Sequence, residues 1–243
     1  MNATTPLLGA PGKAIMTLVE RAIHDHQLIS PGDRIAVGIS GGKDSLLLAC
    51  AFKALSQRSD LDFEWCGVHL DQHQPGFARD QFNAAIEALE IPLQVVSEDT
   101  WSVVESKLAP GQIPCALCGR MRRGILNRWC AEHGFNTLAL GHHLDDAIET
   151  FFLNLLFQRK LDPLKPATSA SAHPVTTIRP LILVEERKIV DWRDRHGLLP
   201  VPCPVCDSFP ESRRRDLKRL LEQFKQLQPH VAASIRGALY DRS

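Results

Sequence analysis

Arg34-Ile35-Ala36-Val37-Gly38-Ile39-Ser40-Gly41-Gly42-Lys43-Asp44-Ser45 is the stretch on which the fold turns. Its first half, Arg34 to Ile39, has the short apolar character of a parallel strand buried on both faces. Its second half is a glycine turn, and Leu46 to Leu55 continues as an apolar helix, so the order is strand, loop, helix. In that order the backbone N–H groups of the loop and the positive end of the helix dipole face one point, where a phosphate can be held. Glycines let the backbone approach the anion, Ser40 and Ser45 bring hydroxyls, and Lys43 brings a positive charge. This is not a Walker A loop, because Val37 stands where that pattern needs its first glycine and Asp44 follows the lysine.

Outward from the loop, residues 14–27 set Ile15, Met16, Leu18, Val19 and Ile23 on one side of an amphipathic helix, closed by the turn Ser30-Pro31-Gly32-Asp33. Downstream the pattern predicts a strand near 63–70, a helix near 77–89 and a strand near 93–96. After a turn-rich loop it predicts a helix over 120–133, a strand over 137–140 and a helix over 143–157. Strands alternating with helices imply an α/β fold: a Rossmann-like parallel sheet with helices on both faces. Right-handed crossovers then bring the loops that follow the strands to one edge. Residues 160–174, rich in Pro, Ala, Ser and Thr, read as a loop; 178–183 reads as a last strand, and 185–196 and the charged 211–227 as helices. The expected organisation is an N-terminal helical segment over 1–33, a nucleotide-binding domain over 34–183 and a C-terminal helical region over 184–243.

The 243 residues, 44% hydrophobic and 23% charged, are those of an ordinary globular protein, and the formal net charge of zero leaves any polyanion binding to local basic clusters. No apolar run is long enough to span a membrane, and residues 1–13 lack the layout of a secretory signal, so a cytoplasmic address without membrane association is expected. There the seven cysteines are thiols rather than disulfides. Cys50, Cys66 and Cys130 stand alone and read as small buried hydrophobes. Cys115/Cys118 and Cys203/Cys206 form two C-x-x-C pairs, open to a zinc, redox or iron–sulfur reading; spacing alone favours a Cys₄ zinc site. Arg120, Arg122, Arg123 and Arg128 follow the first pair, and Arg213, Arg214, Arg215, Lys218 and Arg219 follow the second. Folding that gathers these groups would supply the positive field an RNA backbone needs, against the simpler account of solvated helix faces.

Residues 40–45 carry the whole signature Ser-Gly-Gly-x-Asp-Ser, and here the chain resembles the PP-loop pyrophosphatases, of the adenine nucleotide alpha hydrolase-like fold. The resemblance implies cleavage of ATP between its α and β phosphates, adenylation of a substrate oxygen and release of pyrophosphate. It implies a nucleotide site of Ser40, Gly41, Gly42, Lys43, Asp44 and Ser45. His69, in Val68-His69-Leu70-Asp71, joins them where this family reads adenine through the backbone, and Gly141 joins from Gly141-His142-His143-Leu144-Asp145-Asp146. Asp145 and Asp146 are then expected to bind Mg²⁺ or orient the reacting groups, against the plainer role of first-turn acids that complement a helix dipole. With Lys43 and Arg122 they make up the expected catalytic set, Arg122 and Arg123 neutralising phosphate or departing pyrophosphate.

Further motifs narrow the resemblance to tRNA 2-thiocytidine synthetases of the TtcA type: Cys-Ala-Leu-Cys-Gly-Arg-Met-Arg-Arg-Gly-Ile-Leu at 115–126, Gly-His-His-Leu-Asp-Asp at 141–146, Ile-Arg-Pro-Leu at 178–181 and Pro-Cys-Pro-Val-Cys at 202–206. That branch implies ATP, Mg²⁺ and a [4Fe-4S] cluster held by Cys115, Cys118 and Cys203, with Cys206 not counted among the ligands. Three thiolates leave one iron open to a sulfur-bearing ligand. The implied partners are a tRNA thiolated at cytidine 32, a cysteine desulfurase or other sulfur donor and a reductant, and a homodimer remains open. The alternatives are thiolation of another RNA base, or a zinc-stabilised nucleotide- and RNA-binding module. Two departures stand out: the chain is shorter than many relatives, and 159–174 lacks the glycine-rich lead-in of the family.

Overall fold

The computed structural model describes residues 9–58, 61–107, 114–169, 172–201, 203–204 and 213–241. The side chains of Cys115, Ala116, Arg213, Arg214, Arg215 and Lys225, and the whole of Cys206, lie outside the described set. In chain order the elements are α1 (Lys13–Asp25), β1 (Asp33–Gly38), α2 (Lys43–Leu55), β2 (Phe63–Asp71), α3 (Arg79–Ala88), β3 (Leu93–Ser97), α4 (Trp101–Lys107) and α5 (Cys115–Glu132). They continue with β4 (Thr137–Ala139), α6 (Leu144–Leu153), a π-helical turn (Asn154–Gln158), β5 (Ala167–Ser169), β6 (Thr176–Ile178), α7 (Glu186–Arg195), α8 (Arg213–Leu227) and α9 (Val231–Tyr240).

The sheet order is β3-β2-β1-β4-β6-β5. From β1 the chain builds outward through β2 to β3, then returns to lay β4 on the other side of β1; all of these pairs and β4 with β6 are parallel. The reversal between β1 and β4 is a topological switch point, whose C-terminal crevice is the ligand site of open α/β sheets. The loops that follow β1 and β4 meet there, Gly141 lying against Asp44 and Ser45.

Alternation along β1 divides the core. Ile35, Val37 and Ile39 face α1, α2 and α7, while Ala36 faces α5 together with Val68, Leu138 and Leu126. The α2 helix is buried on all sides, with Leu46, Leu47, Leu48, Ala49, Ala51, Phe52 and Leu55 at 0–1% exposure, which is why its sequence shows little amphipathic period. A helix so enclosed has little freedom to move, and it is the helix that the glycine loop enters.

Four features differ from the sequence reading. The run 178–183 is strand only to Ile178: Pro180 has no amide for a ladder, and Leu181–Val184 turns on itself with Ile182 N–H to Arg179 C=O at 3.1 Å and Val184 N–H to Leu181 C=O at 2.8 Å. These four side chains are nonetheless at 0–1% exposure, so the apolar signal reported burial rather than strand. Within 160–174, β5 forms an antiparallel edge pairing Ala167 with Ile178. The turn-rich stretch before α5 contains α4, started by Asp99, which accepts from the Ser102 amide and hydroxyl at 3.0 and 2.6 Å. Beyond the charged helix, α9 docks through Tyr240, whose hydroxyl donates to Leu164 C=O at 2.7 Å.

The missing glycine-rich lead-in has a structural consequence. Arg159 ends the π-helical turn in the left-handed region, φ 56° and ψ 38°, where a side chain costs about 1–2 kcal/mol. The turn is held around it by Asn154, whose side chain donates to Asp162 C=O at 2.7 Å and whose carbonyl accepts from Lys160 N–H at 3.1 Å. Arg159→Gly is therefore expected to stabilise the fold by about 1 kcal/mol, read as a higher urea midpoint at unchanged m-value. A lower midpoint would mean the arginine makes a compensating contact.

Candidate active site

The nucleotide loop is closed by its own serines. Ser45 Oγ accepts from the Ser40 amide at 3.1 Å, donates to Gly42 C=O at 2.9 Å and lies 3.2 Å from Ser40 Oγ. Gly41 has φ +85°, and a Cβ there would sit 3.0 Å from the Phe82 ring and 3.2 Å from Val201, so conformation and space both exclude a side chain. The loop after β4 approaches as closely: a Cβ on Gly141 would lie 3.0 Å from the Asp44 carbonyl carbon and 3.1 Å from the Ser45 nitrogen. The glycine requirement at 141 comes from two backbones in contact across the switch point.

At the end of β2, His69 is buried and hydrogen-bonded through Nδ1 to Ile39 C=O at 2.9 Å. Its ring lies against Phe82 and Phe77, centroids 4.3 and 5.4 Å away. Burial lowers its pKa, with Arg79 and Arg122 acting in the same direction, so the imidazole is neutral near pH 7. The His69 side chain is committed to β1 and the aromatic cluster, which leaves its backbone for any ligand.

The acidic group gathers around His143. Its ring nitrogens lie 3.7 Å from Asp44, 3.8 Å from Asp145 and 3.5 Å from Asp146. Asp146 Oδ2 accepts from the His143 amide at 3.1 Å and so caps its own helix, whereas Asp145 Oδ2 reaches across to the Glu186 amide at 2.7 Å and caps α7. Asp44 Oδ1 is buried and lies 3.1 Å from Lys43 Nζ. Among the described residues no three His, Cys, Asp or Glu side chains form a ready-made metal site. One or two carboxylates beside a phosphate site are, however, the donor set that Mg²⁺ uses with nucleotides.

Lys43 is enclosed by Asp44 and by Glu186 Oε1, each at 3.1 Å. Burial works against its charge, but the two carboxylates more than offset it and raise its pKa. Burial likewise opposes the Glu186 charge, yet Lys218 at 2.5 Å and Lys43 hold its pKa down at about 2. Glu186 has no motif around it and its partners are remote in sequence, so sequence reasoning missed it; an acid in the first turn of a helix was the one signal available.

The cysteines divide by position. Pro114 starts α5 earlier than the periodicity predicts, with Cys118 N–H donating to Pro114 C=O at 2.9 Å, so positions 115 and 118 occupy one helical turn. Cys203 follows Val201, whose amide donates to Gly41 C=O at 3.0 Å, and its Sγ lies 3.8 Å from Gln74 Oε1. Cys50 and Cys130 are buried, and burial pushes each thiol up to about 12, in keeping with inert packing.

The four arginines after the first pair do not act as one patch. Arg128 is taken by Glu98 at 2.5 Å and lies 4.0 Å from Glu132. Arg120, Arg122 and Arg123 remain together, near enough that their charges add to burial in lowering the Arg123 pKa. Arg179, named in a motif but given no role, is 6% exposed and lies near Arg123, which adds to burial in lowering its pKa. Its guanidinium donates to Lys165 C=O at 2.7 Å.

Residues 15–199 match the PP-loop domain. The chain is 37% identical over 227 residues to the tRNA-cytidine(32) 2-sulfurtransferase of Alkalilimnicola ehrlichii, covering 93% of this chain and 72% of that protein. It is 36% identical over 230 residues to the enzyme of the same name from Stenotrophomonas maltophilia, covering 95% and 77%. The chain belongs to the tRNA-cytidine(32) 2-sulfurtransferase family of PP-loop proteins. The fold of this PP-loop protein is shared with U34-tRNA thiolase NcsA from Methanococcus maripaludis, a structure with its [4Fe-4S] cluster, at TM-score 0.69, 22% identity, 91% of this chain and 76% of that one. An NH3-dependent NAD synthetase from Campylobacter jejuni shares it at TM-score 0.50, 13% identity and 93% and 92% coverage. As a PP-loop protein the chain binds ATP, and among its described residues no helix is long and apolar enough to cross a membrane.

Proposed function

We propose that this protein is an ATP-dependent tRNA sulfurtransferase that converts cytidine 32 to 2-thiocytidine. One observation carries the union of its two halves: the hydrogen bond from Val201 to Gly41 fastens the segment just before Cys203 onto the nucleotide loop. The name these relatives carry, tRNA-cytidine(32) 2-sulfurtransferase, supports the choice of substrate. In the first step the C2 oxygen of cytidine attacks the α phosphorus of ATP and pyrophosphate leaves. In the second a sulfide attacks C2, the C–O bond breaks, and AMP departs with the oxygen.

Ser40, Gly41, Gly42 and Ser45 would bind phosphate through backbone and hydroxyl groups, Lys43 would add charge, and the backbone at His69 would receive adenine. Asp145, with Asp44 or Asp146, would hold Mg²⁺, whose charge eases departure of pyrophosphate. Thiolates suit an iron–sulfur cluster, and Cys203 lies two residues beyond Val201, which is bonded to the nucleotide loop, so Cys115, Cys118 and Cys203 are the proposed ligands. The cluster when bound would supply an open iron that carries the sulfide. Arg120, Arg122 and Arg123 present positive charge near β2 for pyrophosphate or the RNA backbone. A single-stranded loop base suits such a site, since an unstacked base can enter a pocket. A cysteine desulfurase or another donor would provide sulfur, and a reductant would maintain the cluster.

The test is anaerobic purification followed by ATP, sulfide and unmodified tRNA. A brown protein that releases pyrophosphate only with tRNA and yields 2-thiocytidine by mass spectrometry is expected. A colourless protein with one zinc per chain, binding tRNA without pyrophosphate release, would overturn the reading.

A further inference from the structure

Glu186, the first residue of α7, ties together three parts of the nucleotide site. Its backbone N–H holds Asp145, its Oε1 lies 3.1 Å from Lys43 Nζ, and its Oε2 accepts from Lys218 Nζ of α8 at 2.5 Å. The pairs are partly withdrawn from water, with side-chain exposures of 19% for Lys43, 23% for Glu186 and 49% for Lys218. Lys43 also faces Asp44, and Lys218 also feels Glu149. In this arrangement the charge of Lys43 is spent on carboxylates of the protein. A phosphate entering the loop must draw the ammonium away from Glu186 and approach the Glu186 carboxylate as it does so. Both costs fall as Lys218 takes up more of the Glu186 charge.

We propose that Glu186 is a positioning residue that sets how much charge Lys43 offers to phosphate and, through Lys218, couples occupancy of the loop to docking of α8. The inference rests on the reading that the Ser40–Ser45 loop binds the phosphates of ATP. Two substitutions then act with opposite sign. Glu186→Gln removes one of the two carboxylates that compete for Lys43, leaving Asp44 and the backbone bond to Asp145, so nucleotide binds more tightly. Lys218→Met keeps the apolar stem but leaves Glu186 to Lys43 alone, so nucleotide binds more weakly. Because Lys218 acts through Glu186, the double variant should match Glu186→Gln. By linkage, nucleotide should also strengthen the hold of Glu186 on α8.

The experiment is calorimetric titration of the full-length holoprotein with a non-hydrolysable ATP analogue and Mg²⁺. The expected result is binding about three- to fivefold tighter for Glu186→Gln and weaker by a similar factor for Lys218→Met, the range of a partly exposed ion pair. Hydrogen exchange over α8 should slow on addition of the analogue to the wild type and stay unchanged in Glu186→Gln. Both variants shifting in one direction, or neither shifting, would overturn the proposal. If Glu186→Gln fails to fold, Lys218→Met alone decides, since unchanged or tighter binding there contradicts it. A wild-type protein that does not bind the analogue would instead refute the ATP reading itself.

Discussion

If Cys203 is one of the proposed cluster ligands, Cys203→Ser is expected to lower tRNA thiolation by on the order of 10³-fold or more, because a ligand set that acts as a unit fails when one member is lost. The substitution is nearly isosteric and leaves the Val201 to Gly41 hydrogen bond in place, so the nucleotide loop keeps its shape. Affinity for an ATP analogue should therefore stay within about twofold of wild type, while iron content and the cluster's visible absorbance fall sharply. The measurement pairs iron analysis with calorimetry on anaerobically purified protein. Full iron content and full thiolation in the variant would remove Cys203 from the ligand set. A large loss of ATP affinity would assign the segment to nucleotide closure rather than to sulfur.

Asp145→Asn is the second large effect. Asn retains an oxygen that can accept from the Glu186 amide, so α7 keeps its cap, but the site loses a negative charge where the proposed metal would be held. The expected result is a fall of about 10²–10³-fold in kcat for tRNA-dependent pyrophosphate release, with the thermal midpoint little changed. Asp146 is engaged by its own helix, with the His143 amide donating to it, so Asp146→Asn should cost less activity. Equal losses in the two variants would assign the metal to both carboxylates. An unchanged kcat in Asp145→Asn would leave it the structural role of capping α7.

The fold class and the family could be read from the chain because the patterns that carry them are local. The loop at 40–45 is shaped by a short run of glycine and serine, with Ser45 closing on Ser40 and Gly42, and the positive φ of Gly41 is a property of that run. Where the reading failed, the cause was a pattern with two meanings. The run 178–183 is apolar because it is buried, and burial serves a turn as well as a strand once Pro180 denies the ladder a donor. The start of α4 was available in Asp99 and Ser102, a cap that the turn-rich composition around it concealed. Arg128 was grouped with its neighbours by sequence distance, whereas helix rotation carries it to Glu98.

By itself the sequence determined the α/β class of fold and the family, because strand–helix alternation and the motif at 40–45 depend on residue type and on spacing along a single strand, turn or helix. The tertiary structure alone decided which groups meet. The reversal of strand order between β1 and β4 brings Gly141 against Asp44, the crossing of α7 places Glu186 between Lys43 and Lys218, and the return of the chain after α7 sets Val201 on Gly41. These contacts join residues far apart in the chain. Their physical origin is the burial of α2 against the sheet and α7, a packing constraint on all three elements together rather than a property of any one segment.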